Sequence, residues 1–397
     1  MFVSLRFVSA RFLMLLFFLL FINACASMQT PETINGEDSP AEQEAMTETP
    51  EYQLLSAVLL NAIIPWHANL EQDLQRLHES SQRFCLSTTS QAYESLKQDW
   101  LAAMQSWSRV GVFNFGAIDD LNIAWKFQFW PDPLNYVHRK FKSRLAGSNS
   151  AISEDDLAKA SVAIQGLSAL EYLIFDADAG GLRAYQTAAH KCKILMATTS
   201  NLAQQGQILA EAWNTNYKQA WLNPVVENSP QTAARHYLET ILNGLLTNLS
   251  LLKDRKLGAP LGFKQDAQNQ LIKTGRINLK RLEGWRSESS LLHIESNLIS
   301  MQALYLLPKG FSWYLAQEAR NDLLDKSIKD LFVQIFAQLD AMQEGAQKQT
   351  AEQQIRANNT QKLEALYFDV QALFVALRFD YMNALNLHYR FNSHDGD

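Results

Sequence analysis

Gly166-Leu167-Ser168-Ala169-Leu170-Glu171 sets a hydroxyl and a carboxylate three residues apart. On a helix that spacing puts both groups on one face. Glu171 sits between Leu170 and Tyr172 in an otherwise apolar stretch, so its charge must meet a cation, a hydrogen-bond donor or a metal. Two readings stay open for it: a ligand residue in a cleft, or the partner of an Arg or Lys on a neighbouring helix. Gly166, read as lying inside the same helix, costs about 1 kcal/mol against alanine, and close packing or a ligand must offset that. His236 and Glu239 form a second pair, one helical turn apart, which could ligate a metal but reads better as a solvated face. Asp176-Ala177-Asp178-Ala179-Gly180-Gly181 echoes a calcium loop without the later bidentate glutamate, which leaves a helix-ending turn.

Several chemistries are excluded. There is no His-Glu-x-x-His for a zinc peptidase, no Gly-x-Ser-x-Gly elbow and no glycine loop to cradle phosphate. The eight histidines include no i,i+4 pair. Residues 51–397 carry 33 Lys and Arg against 35 Asp and Glu, a near-neutral balance with no bulk electrostatic case for nucleic acid.

The elements that must position these residues are helices. Leu54, Val58, Ala62 and Pro65 form one stripe at helical spacing, and Tyr93, Leu96, Trp100, Met104 and Trp107 form another. Ser153-Glu154-Asp155-Asp156 resembles a capping box and predicts a helix over Leu157 to Phe175. One long helix is expected over Arg183 to Trp221, and others over about 289–306, 312–345 and 351–391. No stretch alternates with period two long enough to make a sheet. The body is therefore expected to be all-α, as two helical bundles side by side, 51–226 and 229–397, parted by the turn-rich stretch from Pro224 to Pro230. Phe127-Gln128-Phe129-Trp130-Pro131-Asp132-Pro133 cannot continue a helix and predicts an ordered aromatic loop. That loop would either plug a bundle end or, through Trp130 and Asp132, form the wall of a ligand cleft.

The N-terminus has the layout of an export signal over residues 1–24. Arg6 and Arg11 precede an eleven-residue apolar run, Phe12 to Ile22, too short for a bilayer span. It ends in Ile22-Asn23-Ala24-Cys25, which resembles the bacterial lipobox whose cysteine is acylated. Residues 25–50 hold six acids, no base and three prolines, the composition of a flexible tether. The expected design is a body hung from a membrane through its lipid anchor alone. Ala26 stands where an aspartate commonly retains lipoproteins at the inner membrane, so the resemblance to bacterial lipoproteins implies the periplasmic face of the outer membrane as the expected location. The remaining cysteines, Cys85 and Cys192, are expected to form a disulfide in that oxidising compartment, the alternative being two buried thiols.

In order along the chain, Ile63-Ile64-Pro65-Trp66-His67, Phe84-Cys85, Trp100 to Trp107, Phe115-Gly116, Phe129-Trp130-Pro131-Asp132, Gly166 to Glu171, Cys192, Lys256 to Gly262, Trp285-Arg286-Ser287 and Asn297 to Tyr305 resemble the imelysin-like family of bacterial envelope proteins. The resemblance implies two helical bundles with a site in the cleft between them, lipoproteins linked to iron uptake, and a Gly-x-His-x-x-Glu motif proposed to bind metal. Gly166 and Glu171 match that motif, while Ser168 stands where the histidine would be. A hydroxyl replaces imidazole poorly as a ligand for iron or zinc. The resemblance therefore implies a non-enzymatic protein that binds iron, another divalent metal or a small ligand at Gly166, Ser168, Glu171, Trp130 and Asp132, with an uptake-system protein as partner. A structural or partner-binding helical lipoprotein is the alternative, and a metallopeptidase the third reading.

Overall fold

The computed structural model describes residues 48–145, 154–179, 181–223, 230–265, 270–343 and 348–388, and residues Glu44–Asp397 form one compact unit. The export signal, Cys25 and nearly all of the tether lie outside the described residues.

The fold is all-α. Its longer helices are α1 (Pro50–Val58), α2 (Ile64–Leu86), α3 (Ser90–Val110), α4 (Tyr136–Leu145), α5 (Gly166–Phe175), α6 (Ala189–Ala212), α7 (Pro230–Leu251), α8 (Ser290–Leu306), α9 (Phe311–Glu318), α10 (Asp322–Gln343), α11 (Ala351–Arg356) and α12 (Gln361–Val375). Helix starts follow the local sequence. Thr49 and Thr89 cap α1 and α3 by accepting from the amides of Tyr52 and Ala92, and Thr350 with Gln353 makes a capping box on α11. Helix α3 buries Tyr93, Leu96, Trp100 and Met104 along one stripe, as its spacing predicts.

Helices α2, α3, α5 and α6 pack together in the first half of the chain. In the second half α10 packs on α12, and α8 on α9 and α10. The halves share one continuous apolar core, because α3 packs on α8 and α1 on α7 and α9. Cys85, at the end of α2, is bonded to Cys192 in α6, with Cα atoms 5.6 Å apart. The bridge closes a loop of 107 residues. On the chain-entropy model it contributes about 4–5 kcal/mol.

Four expected helices are interrupted; the one over 312–345 breaks between α9 and α10, where Arg320 takes positive φ. The one after Ser153 ends at Ala158, yields to a 3-10 turn at Val162–Ile164, and restarts as α5 at Gly166. Gly166 is therefore not interior. It opens α5 with φ +71°, and a Cβ there would lie 2.3 Å from the carbonyl oxygens of Lys126 and Phe127. Only glycine lets this helix start abut that backbone. The stretch from 183 to 221 breaks between Gly181–Thr187 and α6, then widens into a π turn at Trp213–Tyr217. The stretch from 351 to 391 breaks after α11, where Asn358 takes positive φ. A two-stranded antiparallel hairpin, β1 (Phe263–Gln265) with β2 (Leu271–Lys273), also departs from the purely helical expectation. Three residues per strand were too few to show alternation.

Candidate functional site

Helix α5 carries Ser168 and Glu171 to a narrow cleft where the two halves of the chain meet. The aromatic segment supplies one wall, with Phe129, Trp130, Asp132, Asn135 and Val137; Lys280, Gly284, Trp285 and Arg286 supply the other. The five residues singled out in the sequence thus converge: Ser168, Glu171, Trp130 and Asp132 line the cleft, and Gly166 docks the start of α5 on the segment leading into the aromatic wall.

Glu171 is 6% exposed. Its Oε1 accepts from the backbone amides of Arg286 and Ser287, each at 3.0 Å, and lies 3.0 Å from the Ser287 hydroxyl. The carboxylate thus lines the cleft and meets hydrogen-bond donors, one of the partners its burial calls for, with no Arg or Lys side chain among the donors to Oε1. It reaches backbone of the other half, and the Arg286 side chain turns elsewhere. Its Nε donates to Asp176 at 2.6 Å, a terminal nitrogen donates to Asn135 at 2.8 Å, and the guanidinium covers the Trp285 ring at 4.3 Å. Asp132 is committed as well, since it accepts from the amides of Tyr136 and Val137 at 2.7 and 3.0 Å and so caps α4. The Trp130 indole N–H is buried without a hydrogen-bond partner.

Behind the cleft lies a buried polar chain. Gly284, with φ +74°, turns the segment so that Glu283 points inward. Lys256 pairs with Glu283 at 2.6 Å and donates to Asn297 at 2.6 Å. Asn297 in turn donates to the carbonyl of Ser108 on α3. Gln128 donates to Glu283 at 2.8 Å and accepts from the Trp107 indole at 2.7 Å. His293 Nδ1 lies 3.5 Å from Glu283, and its Nε2 lies 3.0 Å from the Ser289 hydroxyl. Ser289 is 2.7 Å from Ser287, which joins this chain to Glu171. Burial opposes ionisation of Glu283, but Lys256 and His293 beside it hold its pKa at about 2.

The donor set at the cleft does not fit iron or another transition metal. No imidazole or thiolate lines it, both carboxylates already take N–H donors, and the cations Lys280 and Arg286 face it. Among the described residues no group of three His, Cys, Asp or Glu side chains is placed to hold a metal ion. The cavity measures about 30 Å³. That is space for one or two waters, not for haem or a peptide.

The other sequence candidates resolve simply. Glu239 faces Arg235 at 3.9 Å and His388 at 3.6 Å. Asp176 holds Arg286 and caps a turn through the Asp178 amide. The residues that periodicity did not flag are Asn135, Lys256, Glu283, Arg286, Ser287 and His293. All but His293 lie outside regular α-helix or in a π turn, and Trp285-Arg286-Ser287 stood out only as part of the family resemblance.

A family model described as Imelysin matches residues 63–373. No curated protein matches the chain by sequence. The crystal structure of an imelysin-like protein from Psychrobacter arcticum 273-4 is similar, at 18% identity and TM-score 0.69, over 86% of this chain and 97% of that one. So is that of a candidate iron-regulated protein A precursor from Parabacteroides distasonis ATCC 8503, at 15% identity and TM-score 0.65, over 85% and 95%. At those identities the two structures speak for the fold, and the family match, which spans well over half of the sequence, goes further: this chain belongs to the imelysin family.

Proposed function

We propose that this chain is a non-enzymatic, lipid-tethered envelope protein that serves iron uptake by contacting a partner, not by holding a metal at its motif helix. One observation carries the reading. Glu171, the surviving acid of the motif, commits its Oε1 to joining the two halves of the chain, in a cleft of about 30 Å³. A ligand site would keep that carboxylate free and leave room beside it. The link to iron rests on the family and on the description of the Parabacteroides distasonis protein as iron-regulated. Tethering through Cys25 at the periplasmic face of the outer membrane rests on the lipobox-like run and on Ala26. No helix among the described residues is long and apolar enough to cross a membrane.

Calorimetric titration of the compact unit from Glu44 with ferrous iron, ferric iron, zinc and haem tests the reading. No saturable binding that depends on Glu171 is expected. Ser168→His, which restores the motif, is expected to add no affinity for ferrous iron or zinc, because Glu171 Oε1 stays bound to Arg286 and Ser287 and the cations Lys280 and Arg286 line the same cleft. Stoichiometric metal binding that Glu171→Gln abolishes would overturn the proposal and return the chain to the metal binders.

A further inference from the structure

Beside the cleft, the aromatic segment and α4 form a face that is both apolar and basic. Trp125, Leu134 and Tyr136 are 47%, 59% and 40% exposed. The surface is continuous: the Trp125 ring lies 5.8 Å from Phe129, and Phe129 lies 6.4 Å from Tyr136. The Arg139 guanidinium covers the Tyr136 ring at 4.3 Å. Residues 124–145 carry five bases, Lys126, Arg139, Lys140, Lys142 and Arg144, against one acid. That acid is Asp132, whose carboxylate is turned onto the amides at the start of α4. In a body that is close to neutral as a whole, the exposed bases Arg139 and Lys142 of α4 lie near these rings, with Asp178, 3.1 Å from His138, as an acid beside the helix.

Tryptophan and tyrosine rings flanked by lysine and arginine suit the headgroup layer of a bilayer: the rings settle at the interface and the bases meet phosphate. We propose that this face docks the body flat against an anionic phospholipid surface. Charge complementarity favours that occupant. The adjoining cleft, at about 30 Å³, is too small to admit the anchoring side chain of a protein partner, whereas a headgroup layer needs only an exposed face. The proposal is independent of acylation at Cys25 and of the partner-binding reading, so its failure would leave both standing.

The test is co-sedimentation of the compact unit from Glu44 with vesicles of phosphatidylglycerol and phosphatidylethanolamine, and with vesicles of phosphatidylcholine alone. Binding is expected to the first at low salt, to weaken as salt screens it, and to be absent from the second. Trp125→Ala combined with Leu134→Ser is expected to weaken partitioning by at least ~10-fold, since two interfacial side chains lose their burial. Arg139→Gln and Lys142→Gln should each weaken it by about 5-fold. These positions are exposed, so helix content and melting temperature should not change. No sedimentation with the anionic vesicles, or equal sedimentation of the parent and all variants, overturns the proposal. So does loss of vesicle binding at low salt when residues 26–43 are restored, because the acidic tether would then be what covers the face.

Discussion

Glu171 is a buried carboxylate whose role is decided by what it accepts. Two backbone amides and a hydroxyl converge on a single oxygen, so the side chain acts as a clasp between residues far apart in the sequence. Glu171→Gln retains a carbonyl acceptor there and should cost about 1–2 kcal/mol. Glu171→Ala strands the amides in a buried site and should cost about 3 kcal/mol or more. Urea denaturation of the two variants separates these values, and equal losses would contradict the clasp. Glu283 makes a different prediction. Its folded pKa of about 2 lies below its ordinary value of 4.5, so its contribution is fully present above about pH 4.5 and is lost as pH falls towards 2. The swing is about 3 kcal/mol. Urea midpoints followed from pH 6 to pH 3 should therefore drop, and Glu283→Gln should flatten that acid limb while lowering stability throughout, because Lys256 is left buried and uncompensated. An unchanged slope in the variant would show that other carboxylates govern the acid limb.

At the scale of elements, the start of α5 is the most constrained point near the site. An interior helical glycine would gain about 1 kcal/mol on replacement by alanine. Gly166 instead combines positive φ with carbonyl oxygens where a Cβ would fall. Gly166→Ala is accordingly expected to destabilise by about 2–3 kcal/mol or more, because α5 must move off the Lys126–Phe127 backbone and carry Ser168 and Glu171 with it. A thermal melt gives the sign directly, and a stabilised variant would mean that α5 begins before Gly166. The Cys85–Cys192 bridge acts on the same bundle, tying α2 to α6, the helix on which α5 packs.

At the scale of the whole molecule, the body is expected to work at a membrane without crossing it. Cys25→Ser should abolish lipid labelling and move the protein from the membrane to the soluble fraction in low-salt lysates adjusted to high salt, where docking of the basic face is screened. Labelling that persists in the variant would show that another residue is acylated. The all-α class and most helix positions were legible along the chain, because burial of one helix face forces a period of 3.6 that any segment displays by itself. The pairing of Cys85 with Cys192 was legible because only two cysteines remained in the body and export favours a bridge. Ser168, Glu171, Trp130 and Asp132 could be singled out, since a carboxylate in an apolar run and aromatics beside prolines are local irregularities. What those side chains do was decided only by the tertiary structure. Glu171 meets the amides of Arg286 and Ser287, 115 and 116 residues away, and those are backbone groups that every sequence contains and that no residue type announces. Gly166 looked interior because periodicity cannot distinguish a continuous helix from two collinear pieces, whereas the approach of Lys126 and Phe127 from elsewhere in the chain imposes the break. The Lys256–Glu283–His293 chain was invisible for the same reason: three residues scattered along the second half become one buried cluster only when helices from both halves close around them.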